Sequence, residues 1–179
     1  MIDPFYKQIA NRNFLATTGF KFTLARAPKA DFFSNQVNIP GFSLGAAIQP
    51  TYLKNIPVPG DKLEFNDFTM RFMIDEDLVN YNVISNWMRG LGYPENVKEY
   101  SDWIYEDHRG NINNDPNISD GSLIVYNSNF QPTLTCKFQG MFPTSLSDIE
   151  FDASATDEAY ATASVTFKYV IYDLLEYES

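Results

Sequence analysis

From Ala161 to Tyr172 the chain alternates without a break. Ala161, Ala163, Val165, Phe167, Tyr169 and Ile171 fall on one side, and Thr162, Ser164, Thr166, Lys168, Val170 and Tyr172 on the other. A period of two over such a length describes an extended strand with one face in a core, because a helix would scatter the same residues around its circumference. It is the longest strand signal in the chain, and shorter copies of it set the fold class. Gly19 to Arg26 places Phe20, Phe22 and Leu24 opposite Lys21, Thr23 and Ala25, which predicts a first strand. Extended pieces follow at Gln36–Ile39 and Leu44–Gln49, separated by the turn dipeptide Pro40-Gly41. In 56–77, IPVPGDKLEFNDFTMRFMIDED, Pro57 and Pro59 exclude a helix and Gly60-Asp61 reads as a turn. Leu63 and Phe65 then alternate up to Asn66-Asp67, where the phase slips by one before Phe68, Met70, Phe72 and Ile74 resume it. Such a slip marks a β-bulge or a bend. Further strands are expected at Ser122–Tyr126 and Thr133–Gln139.

One segment breaks the pattern. Leu78, Tyr81, Val83, Ile84, Trp87, Met88 and Leu91 recur near helical spacing, with stop signals at Gly90, Gly92 and Pro94, which predicts an amphipathic helix over about 78–89. The acids Asp75-Glu76-Asp77 stand just before it. The expectation is that Asp75 or Asp77 caps free backbone N–H groups there, aided by the helix dipole, rather than doing chemistry. Residues 95–121 read as a loop-rich insertion: Val97, Tyr100, Trp103 and Ile104 suit a second short helix, and DHRGNINNDPNISDG is a run of turn formers. Residues 1–16, with Phe5, Ile9, Phe14 and Leu15, read as a short helix or an arm. With 179 residues the chain suits one domain spanning 1–179. The predicted fold is mainly β (α+β): an antiparallel β-sandwich or barrel flanked by one main helix.

Charge narrows the function. A formal net charge of −10 repels phosphate and anionic lipid and works against a tight nucleic-acid reader. No stretch approaches the roughly 20 apolar residues of a membrane helix. MIDPFYKQIANRNF lacks the basic and apolar regions of a secretory signal. The single cysteine, Cys136, has no internal disulfide partner. The expectation is a soluble protein of a reducing compartment.

The residues that carry chemistry do not converge. One His and one Cys, with no HExxH or CxxC, leave nothing for zinc. The Asp/Asn-rich stretch 107–120 offers oxygens but not EF-hand spacing. Asp107-His108 has no accompanying nucleophile motif, and Cys136, in phase with Leu134 and Phe138, reads as a buried thiol. Asp148, Glu150 and Asp152, spaced by two, point to one side of an extended segment; a polar rim is the plain reading and a glycosidase pair the sharp one. No phosphate-cradling glycine loop occurs. The chain is therefore expected to be no enzyme, with no catalytic, cofactor or metal residues and no cofactor. A ligand-binding β-barrel, with Trp87 or Trp103 lining a pocket, is the alternative from another class. Trp87, in phase with the apolar helix face, fits the core better.

Three stretches in order resemble the tail tube proteins of contractile-tailed bacteriophages. The first is IPVPGDKLEFNDFTMRFMIDED, of the form IPV-x-GD, a gap, F-x-D-[FW]-T and a strand closing on acids, followed by a helix with Trp87. The second is CKFQGMFPTSLSDIEFD, similar to a strand followed by G-x-[WF]-P-T and an aliphatic segment, matched by Gly140, Phe142, Pro143, Thr144, Ile149 and Asp152. The third is the final strand AYATASVTFKYVIYD. The resemblance implies a sandwich or barrel flanked by a helix, shared with the needle proteins of type VI secretion. It also implies homohexameric rings stacked into a tube inside a contractile sheath. The implied partners are other copies of the chain, the sheath protein, and tape-measure and baseplate proteins, with DNA passing through the lumen without specific binding and no membrane insertion. The implied location is the virion tail, assembled in the host cytoplasm. A baseplate tube-initiator ring or a secretion needle subunit is the alternative within the class. On this reading the 107–120 loop and the N-terminal arm are ring-to-ring contacts.

Overall fold

In a computed structural model, which describes residues 14–26, 34–96, 98, 101, 117–151 and 160–176, the alternating segments form nine strands flanked by a helix, and Lys98 and Ser101 are also helical. They are β1 (Phe20–Leu24), β2 (Ser34–Val37), β3 (Phe42–Pro50), β4 (Asn55–Phe65) and β5 (Phe68–Met73), then α1 (Val79–Gly92), β6 (Ser119–Tyr126), β7 (Pro132–Leu146), β8 (Thr162–Lys168) and β9 (Ile171–Glu176). Every pairing is antiparallel. The predicted single domain, its 1–16 arm and most of its 95–121 insertion lie wholly or partly outside the described residues. Of the insertion, Ser119–Gly121 belongs to β6 rather than to a loop.

β7 organises the body. Its first part, Leu134 to Met141, pairs with β6 on one side and β9 on the other; its last part, Phe142 to Leu146, pairs with β8. Two sheets, β1-β6-β7-β9 and β7-β8-β5-β2, thereby share one strand. At the crossing, Gly140 takes φ +66°, a left-handed conformation that glycine adopts without strain. The Asp120 carboxylate accepts its N–H at 3.1 Å, and a Cβ there would meet Val170 Cγ2 at 2.9 Å.

The inner faces are those the alternation marks. Phe22 and Leu24, Leu123, Cys136 and Phe138 from one sheet meet Phe68, Met70, Phe72, Val165 and Phe167 from the other, all buried. Phe68 sits at the centre, its ring 4.9 Å from Phe22, 4.8 Å from Phe138 and 6.2 Å from Phe167. α1 adds Ile84 and Trp87 to the same core. Trp87 packs on Phe167, donates its indole N–H to the Asn117 carbonyl at 3.3 Å and has the Arg26 guanidinium over its ring, so it is a core residue as the helical phase implied.

Three expectations change, and one pair of alternatives resolves. The acids do not cap α1: Leu78 is the N-cap, with no side-chain cap bond. The buried Asn80 takes over, accepting the Asp75 and Tyr81 N–H groups and donating to the Met73 carbonyl at 2.8 Å. Gly60-Asp61 is not a turn but lies inside β4, beside a register shift; the reversal is at Thr51–Lys54, where Thr51 N–H bonds the Lys54 carbonyl. The slip at Asn66-Asp67 is the break between β4 and β5, a bend rather than a bulge. The long final strand is two strands in different sheets, broken at Tyr169-Val170, where the chain turns the corner that Gly140 makes on β7.

Because Phe68 contacts both sheets, Phe68→Ala is expected to cost about 3–5 kcal/mol. Urea unfolding of the monomer would show it as a lower midpoint at unchanged slope.

Candidate assembly interface

One element has no place in this core. β3 and β4 form a separate two-stranded sheet, with no strand among the described residues on either flank. At about 3.4 Å per residue, the nine residues of β3 reach about 30 Å. An isolated hairpin is marginal in water unless another surface covers it.

Its register sorts the side chains. Phe42 faces Phe65, Leu44 faces Leu63, Ala46 faces Pro59 and Ile48 faces Pro57, so these eight apolar residues share one face. The other face mixes Ser43, Glu64, Ala47, Val58, Gln49 and Ile56. The register shift between Leu44 and Ala46 leaves the faces unchanged, because β3 advances two residues there and β4 advances four. At the shift the strands come so close that a Cβ on Gly60 would lie 2.5 Å from the Gly45 carbonyl oxygen, which requires glycine. The apolar face is uncovered: Phe42 is 60% exposed, Leu44 54% and Ile48 67%. The tip adds Tyr52 and Leu53, both fully exposed.

The root is fixed where this face meets the core. Phe65 stacks edge-on against Tyr172 at 5.7 Å and Tyr169 at 6.0 Å, and both tyrosines pack on Phe138. Their hydroxyls hold both legs of the hairpin. Tyr172 O–H donates to the Pro40 carbonyl before β3, and Tyr169 O–H to the Asn66 carbonyl after β4, each at 2.8 Å. An exposed ion pair, Lys168 to Asp67 at 3.0 Å, stands beside them. The hairpin's apolar face is thus an extension of the core that runs out into solvent. Burial, then the neighbouring Tyr172, Cys136 and Asp67, pushes the Tyr169 phenol up to about 12. The Tyr172 phenol is raised by burial and by Cys136.

Of the residues weighed for chemistry, Cys136, Asp148 and Glu150 are among those described, and they do not form a shared site. Cys136 is fully buried, and burial followed by Asp173 pushes its thiol up to about 12. Asp148 and Glu150 are exposed beyond the end of β7. Asp107, His108, Asp152 and Trp103 lie outside the described residues. Among the described residues no group of three His, Cys, Asp or Glu side chains is placed to hold a metal ion. No helix among them is long and apolar enough to cross a membrane.

No protein-family model matches the sequence, and no curated protein does. Solved structures share its fold. A chain of the sheath–tube complex of PVC, an extracellular contractile injection system, in its extended state, superposes with a TM-score of 0.58 at 17% identity, over 93% of this chain and 94% of that one. A chain of the tube-terminating cap of the anti-feeding prophage gives 0.58 at 14% identity over 96% and 97%. A chain of that prophage's baseplate, six-fold symmetrised, gives 0.53 at 9% identity over 87% and 90%. The fold is one that chains of contractile injection systems adopt.

Two predictions follow from this geometry. At pH 8 a thiol moved from 9.0 to about 12 holds about a thousandfold less thiolate, so Cys136 should stay silent to a disulfide reagent in the native protein and react fully in urea. The second concerns alkali: an unfolded tyrosine loses its proton near 10.0 while native Tyr169 holds it to about 12, so its contribution is complete below 10.0 and is lost as pH rises through about 12. Absorbance titration at high pH should show late phenol ionisation that Tyr169→Phe diminishes by one group.

Proposed function

We propose that this chain is a tube subunit of a contractile tail, six copies closing a ring and rings stacking into a conduit within a sheath. The observation that carries it is the exposed apolar face of the β3–β4 hairpin, anchored at its root by two tyrosines and left without cover in a single copy. A surface so placed needs a partner, and a repeating assembly supplies one to every copy. The shared fold supports the tube reading, and the six-fold symmetry of the baseplate that contains one structural neighbour supports the count. The sheath is the proposed outer partner, with tape-measure and baseplate proteins at the tube's core and end.

The phage tail is the first reading, with DNA as the cargo. A net charge of −10 per copy suits a conduit that phosphate must pass without sticking. The second reading is a terminal or baseplate ring, or the tube of an injection system without DNA; neighbours from an extracellular injection system and from a tube-terminating cap favour it.

Light scattering and negative-stain electron microscopy of the purified protein test the proposal. Rings or tubes with a central hole and six-fold projections are expected, and a monomer of 20.5 kDa at every concentration would overturn the self-assembling subunit. Ile48→Asp should raise the concentration needed for assembly at least about tenfold, because it removes about 1.5–3 kcal/mol of apolar burial per interface and places a charge there. The variant's core should melt as the native one does.

A further inference from the structure

The two outer edges of the hairpin differ in a way the side chains do not reveal. Thr51 N–H bonds the Lys54 carbonyl at the tip, and Asn66 N–H bonds the Gly41 carbonyl at the root. Both bonds continue the ladder one residue beyond the strands, joining an odd-numbered residue on the β3 side to an even-numbered one on the β4 side. Antiparallel ladders alternate inward and outward groups along each strand. The even residues of β3, namely Phe42, Leu44, Ala46 and Ile48, therefore turn their N–H and C=O groups outward, and so do the odd residues of β4. On β4 those odd positions include Pro57 and Pro59, which have no N–H to offer. Prolines at outward positions blunt an edge against strand addition. The β4 edge is blocked at Pro57 and Pro59, whereas among the described residues the β3 edge is open as far as Ile48, its proline being the terminal Pro50.

We propose that the outer edge of β3 accepts a strand from a second copy of this chain, so that copies are joined by backbone pairing as well as by the apolar face. The inference rests on the tube reading and adds which edge pairs. Charge identifies the occupant. Residues 42–60 contain no Asp or Glu and one cation, Lys54, in a chain of 23 acids against 13 Lys and Arg. Two copies carrying the same excess of carboxylates meet here without opposing like charges. A strand laid along β3 also extends the sheet whose apolar side holds Leu44 and Ile48, so one contact satisfies both backbone and side chains. A partner strand other than β3 itself makes the contact heterologous, the type that closes rings by rotation.

Hydrogen exchange on the full chain, monomeric and assembled, decides the matter. The amides of Leu44, Ala46 and Ile48 are expected to slow at least about 100-fold on assembly. Ala46→Pro removes one outward donor without touching the inward ladder and should assemble poorly, whereas Ala46→Val, which keeps the donor, should assemble like the native chain. Exchange across β6 and β7 reports whether each variant keeps its core. Assemblies whose β3 amides exchange at the monomer rate, or an Ala46→Pro chain that assembles as well as Ala46→Val, would overturn the pairing and leave the tube reading standing. A native chain that never assembles would overturn both. If Ala46→Pro loses its core, the native amide rates alone decide.

Discussion

The fifteen residues of β7 serve two sheets, and the rest of the molecule is arranged around that sharing. A strand that changes partners midway must bend, and Gly140, with its N–H held by Asp120, is where it does so. The bend brings the inner faces together on Phe68 and Phe138. It also turns the chain between β8 and β9, which sets Tyr169 and Tyr172 beside the hairpin's root. The same aromatic cluster therefore closes the core and fixes where the hairpin leaves it. Packing and projection are not separable here: loosening the cluster would loosen the hairpin's direction.

Alternation made the body strands legible, because a face that packs against the chain's own core leaves a period of two in the sequence. Phe20–Leu24 and Phe68–Met73 emerged near their observed bounds for that reason, whereas Thr162–Lys168 was read as part of one longer strand. The helix was equally plain from Leu78 to Leu91. The hairpin was only half legible: Leu44 and Leu63 alternate as core residues do, and a sequence does not distinguish a face buried at home from one awaiting a neighbour. Local composition misled at Gly60-Asp61, since glycine permits a close approach of two strands as readily as a turn. The break at Tyr169-Val170 carries no glycine or proline of its own; its cause lies on the facing strand, at Gly140. The acids before α1 looked like caps, and it took a buried Asn80 five residues on from Asp75 to show which side chain satisfies those amides.

The candidate interface joins three kinds of evidence at one place. Burial leaves an apolar face uncovered, proline placement leaves one backbone edge open, and charge leaves the same segment without acids in an acidic chain. Each has a separate physical origin, and each points to contact between copies. Chains of contractile injection assemblies share the fold at low identity, which fits an architecture maintained by alternation and packing rather than by particular side chains.

A side-chain-resolved reconstruction of the assembled particle tests the central claim most directly. The account predicts that Leu44, Ile48 and Leu63 lie in van der Waals contact with a neighbouring copy. A particle in which that face stays open to the lumen or to solvent would contradict it.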